Sequence, residues 1–169
     1  MTQGGYNLTT LLFPGSFDPF TRGHRDIARR ASRICDKLYV AVMHNDAKNH
    51  AFTKEERVFM ASEALKEYSN IEVIGYDGLL VDIYQETHCN AVVRGIRSES
   101  DFRYEAEMAL ANRILHPEYD VVLLPCRDDL SLISSSIVKE VGYYGGDISK
   151  MVPVQIADFI TNKLKKGRN

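Results

Sequence analysis

Short aliphatic runs, each bounded by polar or turn residues, recur at 9–13, 37–43, 71–74, 91–93 and 120–124, and each reads as a β-strand. Between them, apolar residues fall at helical spacing. The first helical stretch is rich in Arg and Ala. It places Ile27, Ala31, Ile34 and Cys35 on one stripe and turns Arg29, Arg30 and Arg33 toward solvent. The second opens at Thr53, whose hydroxyl can cap it while Glu56 reaches back from three residues later, and it sends Val58, Ala61, Leu65 and Tyr68 inward. Further helices are predicted over 80–86, 99–115, 135–141 and 154–165, the last with Ala157, Ile160 and Leu164 on one face. Nearly every strand is followed by a helix, which implies a parallel sheet of about five strands covered on both faces. The expected fold is therefore a single-domain, Rossmann-like, doubly wound α/β sheet over residues 1–169, with 1–7 as a short flexible tail. In such sheets ligands bind beyond the carboxyl ends of the strands, where strand order reverses.

Composition narrows this picture without redirecting it. A chain of 169 residues with 44% hydrophobic and 26% charged side chains can bury a sizeable core without disulfides or structural metal. The net charge of −2 offers no broad basic field, so nucleic acid is not an expected partner. A small anion held by a local cluster of arginines, lysines and helix N-termini remains compatible with it. Cys35, Cys89 and Cys126 are far apart and form no Cys-x-x-Cys pair, so they read as partly buried thiols in a reducing cytosol. The N-terminal residues lack the basic and apolar regions of a signal peptide, and no run approaches the ~20 apolar residues of a membrane span.

The candidate chemistry lies in four loops that each follow a predicted strand. The first runs Phe13-Pro14-Gly15-Ser16-Phe17-Asp18-Pro19-Phe20-Thr21-Arg22-Gly23-His24 into the first helix. There Ser16, His24 and the unpaired N–H groups of the helix start supply donors to a phosphate. His24 by itself is more often a capping or core residue; its place beside Gly23 at a helix start favours a donor to charge that develops during phosphoryl chemistry. The second loop, His44 to His50, carries a lone lysine, Lys48, able to meet a phosphate as a mobile point charge. The third, Arg94-Gly95-Ile96-Arg97, sets two guanidinium groups around a glycine that lets backbone approach a ligand. The fourth leads from Pro125 to Ser134-Ser135-Ser136, ordinarily a helix cap worth ~1 kcal/mol, but in this company an anion site lined by hydroxyls. P-loop, dinucleotide-fingerprint and hydrolase-elbow motifs are absent from the sequence. His24, His44, His50, His88 and His116 lack metal-ligand spacing on one helix face, which disfavours a protein-held catalytic metal.

Thr-x-Gly-His at Thr21–His24, followed far downstream by Ile133-Ser134-Ser135-Ser136, resembles the nucleotidyltransferase superfamily. Pro-Gly-Ser-Phe-Asp-Pro, Phe52-Thr53-Lys54-Glu55-Glu56-Arg57, Val93-Arg94-Gly95-Ile96-Arg97 and Asp101-Phe102-Arg103-Tyr104-Glu105 sharpen this to a likeness with bacterial phosphopantetheine adenylyltransferases. The resemblance spans about Leu11 to Lys165. It implies transfer of AMP from ATP to 4′-phosphopantetheine, giving dephospho-coenzyme A and pyrophosphate by direct in-line attack. It further implies a cytoplasmic homohexamer that uses Mg²⁺ held mainly by the ATP phosphates and is restrained by coenzyme A. Carried onto this chain, the family's acceptor site falls on Ser16, Lys48, Leu80 and Arg94. Its ATP site falls on Ser16, Phe17, His24, Gly95, Ile96, Arg97, Glu105 and the run Leu130, Ser131, Leu132, Ile133, Ser134, Ser135 and Ser136. His24, Lys48 and Arg97 are the implied catalytic residues. Ser16 and Lys139 stand where Thr and Arg are frequent, and Leu130 where an aromatic residue is common. Two alternatives are a nicotinate or nicotinamide mononucleotide adenylyltransferase, sharing both motifs with a different acceptor pocket, and a non-catalytic nucleotide sensor that binds ATP without turnover.

Overall fold

The computed structural model describes residues 8–44 and 49–166. Its centre is a parallel sheet of five strands: β1 (Thr10–Gly15), β2 (Lys37–His44), β3 (Ile71–Asp77), β4 (Ala91–Ile96) and β5 (Val121–Pro125), in the order β3-β2-β1-β4-β5. The order reverses between β1 and β4, so the crevice beyond their carboxyl ends is the topological switch point. Every predicted strand is present, and all five extend one to three residues farther at the carboxyl end. Among those extra residues, Pro14 and Gly15 on β1 and Arg94 and Gly95 on β4 are polar, small or turn-forming. Pairing with neighbours rather than apolar content keeps them in the sheet.

Alternation along each strand feeds two cores. Leu11 and Phe13 of β1, Val40 and Val42 of β2 and Val93 of β4 face one side, where α1 (Arg22–Ala31), α2 (Lys54–Leu65), α6 (Ser135–Tyr143) and α7 (Val154–Lys166) bring Ile27, Met60, Val138 and Ile160. Leu12, Ala41 and Val92 face the other, where α3 (Leu80–Glu86) supplies Val81, Ile83 and Tyr84 and α4 (Glu99–Leu115) supplies Ala109. Each fully buried aliphatic side chain stabilises such a core by ~1.5–3 kcal/mol.

Local signals place the helix starts. At Thr53 the capping box is complete: its hydroxyl accepts from the Glu56 N–H at 3.2 Å, and Glu56 accepts from the Thr53 N–H at 2.9 Å. Three expectations need correction. Helix α1 stops at Ala31, and the chain turns through Arg33 and Ile34, so Ile34 leaves the helical stripe and stands 56% exposed. Arg29 and Arg30 do not simply face water; both pair with the buried carboxylate of Asp26, at 2.7 and 3.3 Å. The loop from Pro125 to Ile133 contains a short helix, α5 (Asp128–Ser131), whose Leu130 is buried. Tyr68 lies past the end of α2 yet still packs against the first core.

Candidate active site

Three helices begin at the carboxyl rim of β1, β4 and β5, around a cavity of about 320 Å³. Its walls come from Pro14 to Phe17 at the end of β1 and just past it, Gly23 and His24 of α1, Arg94 and Gly95 of β4, Arg97 before α4 with Asp101 and Glu105 of that helix, and Leu130, Ile133, Ser134 and Ser135 before and into α6. The first-turn N–H groups of α1 and α6 have no helical acceptor. The macrodipoles of both helices add positive potential where those groups meet the cavity. A phosphate chain suits this setting better than any neutral ligand.

His24 sits at the third helical position of α1 in an unusual capping box. Its backbone N–H donates to Thr21 Oγ1 at 3.3 Å, while its Nδ1 accepts the Thr21 backbone N–H at 3.0 Å. An Nδ1 that accepts cannot carry a proton, so the neutral ring holds its proton on Nε2. Burial, with the nearby positive charges of Arg97 and Arg94, pushes the His24 pKa down to about 4. The rings of Phe17 and Phe20 pack against the imidazole, with centroids 5.0 and 5.5 Å away. Phe17 itself has φ 48°, a conformation that costs a side chain with a Cβ about 1–3 kcal/mol and clusters at functional sites. Its ring fills the space that a side chain at position 15 would need: a Cβ on Gly15 would lie 2.8 Å from the Phe17 ring.

Arg94 and Glu105 form a bidentate pair, Nε to Oε2 at 2.8 Å and Nη2 to Oε1 at 2.7 Å, and Arg94 Nη1 donates to the Pro14 carbonyl at 2.9 Å. Three of the five guanidinium N–H groups are thus used to fix the fork, and the other two can meet an anion. Arg97 is held from its own helix start, its backbone N–H and Nε both donating to Asp101 Oδ2 at 3.0 and 3.1 Å. At α6, Ser134 accepts the Ile137 N–H at 3.2 Å, and Ser135 Oγ donates to the Pro19 carbonyl at 2.8 Å, which ties this helix start to the β1 loop.

A second tie runs through Asp18. This buried carboxylate accepts Lys139 Nζ at 2.8 Å and the N–H groups of Ala51 and Phe52 at 3.1 and 3.0 Å. Burial raises its pKa, but these donors outweigh burial and hold it below the usual carboxylate range.

Of the residues singled out in the sequence, Ser16, Phe17, His24, Arg94, Gly95, Arg97, Glu105, Leu130, Ile133, Ser134 and Ser135 all line this one cavity. Ile96, Ser131, Leu132 and Ser136 are chain neighbours of lining residues without forming the wall, and Leu132 is 82% exposed. Leu80 packs against the second core instead. Lys48 lies outside the described residues. Gly95 lines the cavity, but its missing side chain also admits α1: a Cβ there would stand 3.0 Å from Ile27 Cγ1.

Sequence reasoning missed Thr21, Ile27, Asp101 and Cys126 as wall residues. Asp101 stands four residues after Arg97, the spacing of an ion pair on one helix, and Thr21 stands three before His24, the spacing of a cap; both signals were present. Cys126 is a neutral thiol, its pKa raised chiefly by burial. All three cysteines are free, and among the described residues no group of three or more His, Cys, Asp or Glu could hold a metal ion. No helix among them is long and apolar enough to cross a membrane.

Comparison with known proteins agrees with this geometry. The model of the cytidylyltransferase-like family matches residues 12–141. The phosphopantetheine adenylyltransferase of Natranaerobius thermophilus is 44% identical over 161 residues, covering 95% of this chain and 99% of its own. That of Alkaliphilus metalliredigens is 45% identical over 152 residues, 90% of this chain and 97% of its own. Among solved structures, a bifunctional NMN adenylyltransferase/ADP-ribose pyrophosphatase from Francisella tularensis, complexed with AMP and a manganese ion, superposes with a TM-score of 0.70. It shares 14% identity with the chain, and the match covers 96% of this chain and 52% of that one, a likeness of fold. Relatives of such identity along nearly the whole length leave one assignment: the chain belongs to the phosphopantetheine adenylyltransferase family of cytidylyltransferase-like enzymes.

Proposed function

We propose that the cavity at the β1/β4 switch point transfers AMP from ATP to 4′-phosphopantetheine, the adenylyl transfer of coenzyme A biosynthesis. The observation that carries this reading is the convergence of the α1 and α6 N-termini, a neutral His24 and two immobilised arginines on one phosphate-sized space, in a chain so close to the adenylyltransferases named above. The acceptor phosphate is already ionised near neutral pH, so no base is required. Its oxygen attacks the α-phosphorus, the bond to the β-phosphate bridging oxygen breaks, and pyrophosphate leaves with that electron pair, without a covalent enzyme intermediate. What remains for the protein is alignment and stabilisation of charge.

Nε2–H of His24 donates to the α-phosphate as charge builds. The low pKa of that ring derives from burial and from Arg97 and Arg94, so it donates as the neutral imidazole near neutral pH. Arg97 meets the ATP phosphates, Ser134 and Ser135 stand at the α6 end of the same chain of anions, and the two spare N–H groups of Arg94 face the acceptor phosphate. Ser16 and Lys48 take the acceptor phosphate.

A Mg²⁺ ion fits this chain only as part of the nucleotide. The cavity's carboxylates, Asp101 and Glu105, are each engaged by an arginine and are not arranged as a cage. Bound there, it would neutralise charge on the phosphates. Coenzyme A, which carries the same pantetheine arm, would compete for the acceptor site as a feedback inhibitor. A homohexamer is in keeping with α4, where Phe102, Tyr104, Leu110, Ile114 and Leu115 are all at least half exposed on a single helix. The free thiols suit a cytoplasmic location.

The test is pyrophosphate release from Mg²⁺-ATP with 4′-phosphopantetheine, with nicotinamide mononucleotide and with no acceptor. Release with phosphopantetheine alone is expected. Release with the mononucleotide would move the acceptor assignment, and ATP binding without release under any condition would make the chain a sensor.

A further inference from the structure

Among the described residues Arg57 is the largest side chain fully buried, and it belongs to α2, a helix that does not line the cavity. Its Nη1 donates to two main-chain carbonyls, that of Ser16 at 2.7 Å and that of Met43 at 2.9 Å, and its Nη2 lies 3.0 Å from His44 Nδ1. Its Nε has no partner among the described residues, and burial lowers its pKa. A guanidinium stripped of water is costly, and its bonds to two carbonyls largely offset that cost rather than add much net stability. Core stability alone therefore gives little reason for an arginine here.

Its position in the sheet does give one. The β1–β2 ladder ends at the pair Gly15 and Val42. Beyond that rung the two strands part, β1 toward the cavity through Ser16 and β2 toward His44 and the following loop. Arg57 bonds the carbonyls of Ser16 and Met43, the first residue past the rung on each strand, and so replaces the missing rung. Immediately after Ser16 the chain enters the left-handed conformation of Phe17, where the backbone has no regular pairing of its own.

We propose that Arg57 is a positioning residue for adenylyl transfer: by clamping the Ser16 carbonyl to that of Met43 it fixes the separation between the phosphate loop and the carboxyl end of β2. The inference rests on the reaction proposed above. In-line attack depends on that separation, and a displacement of the order of 1 Å costs ~100-fold in rate. Binding of ATP draws mainly on α1, α4 and α6, with the Ser16–Phe17 loop as one wall among several, and is less sensitive to it than the alignment of attack.

The experiment compares the full-length wild type with Arg57→Met and Arg57→Lys, measuring melting temperature, ATP affinity by calorimetry, and kcat and KM with whichever acceptor the wild type uses. Arg57→Met is expected to keep the melting temperature within a few degrees and the ATP affinity within about threefold while kcat falls ~100-fold. Arg57→Lys, with one ammonium able to reach a carbonyl, should recover part of kcat. Unchanged kcat in a folded Met variant would overturn the proposal. So would losses of kcat that follow only the folded fraction in both variants, because a purely structural arginine predicts that pattern. Failure of the wild type to use 4′-phosphopantetheine would count against the proposed reaction instead, and is seen before either variant is examined.

Discussion

Helices α1 and α4 both begin at the cavity, yet they are held there by opposite means. The ten residues of α1 bury Asp26, Ile27, Ala28 and Ala31 against the sheet, and its first turn is locked by the Thr21–His24 box. The 17 residues of α4 bury only Asn112, while apolar side chains stand exposed on several sides of the helix. One helix is fixed by its own chain; the other carries Asp101 and Glu105, which hold Arg97 and Arg94, on a body with little cover of its own. The difference teaches that the two sides of the site need not share one source of rigidity. In the proposed assembly, packing of α4 between copies would stiffen the arginine side of the site, whereas the histidine side is complete within one chain.

Substitutions can break this contrast at either end. His24→Ala removes the donor that α1 presents and is expected to lower kcat ~10²–10³-fold with a modest loss of ATP affinity, read by steady-state kinetics and calorimetry; unchanged turnover would remove the residue from the mechanism. Glu105→Ala leaves the charge of Arg94 but frees its fork, and should cost about tenfold in kcat/KM, less than loss of the donor itself. Ile114→Asp puts a charge on the exposed surface of α4 and should shift sedimentation toward smaller species with only a few-fold fall in kcat, an effect transmitted through Glu105 rather than through His24. A helix fixed by its own chain would show no such link between assembly and rate.

The smallest effect concerns pH. A histidine whose pKa is about 4 in the folded chain and near 6.5 when unfolded leaves the unfolded state holding more protons between those values. Stability therefore falls as pH drops from 6.5 toward 4. In His24→Gln that contribution vanishes, so the melting temperature of the wild type should decline relative to the variant across this window. Parallel curves would show that the ring titrates normally.

Much of this arrangement was legible in the chain. Aliphatic runs and helical spacing predict all five strands and every helix except the four-residue α5, whose Leu130 is the sole buried residue of a segment too short to show a period. The cavity wall followed where loops carried Gly, Ser or Arg next to a strand end. Partnership was less visible. Asp26 stands three and four residues before Arg29 and Arg30, the spacing of ion pairs on one helix, a local signal that went unread; nothing in Arg57, by contrast, distinguishes it from the solvated charges around it on α2 until the sheet brings Ser16 and Met43 to its guanidinium. Such bonds join residues whose proximity is a product of topology, and local patterns carry no trace of them.

The bonds from Ser135 to Pro19 and from Lys139 to Asp18 span 116 and 121 positions of the chain. On the ribosome, the loop after β1 and the first half of the sheet emerge long before α6 does, and until then the Asp18 carboxylate lacks its cation and the phosphate loop its far wall. Competence to hold a nucleotide thus arrives only once α6 has been made. A truncated or stalled product would display the family's first motif without acquiring its affinity, so incomplete chains would not sequester ATP.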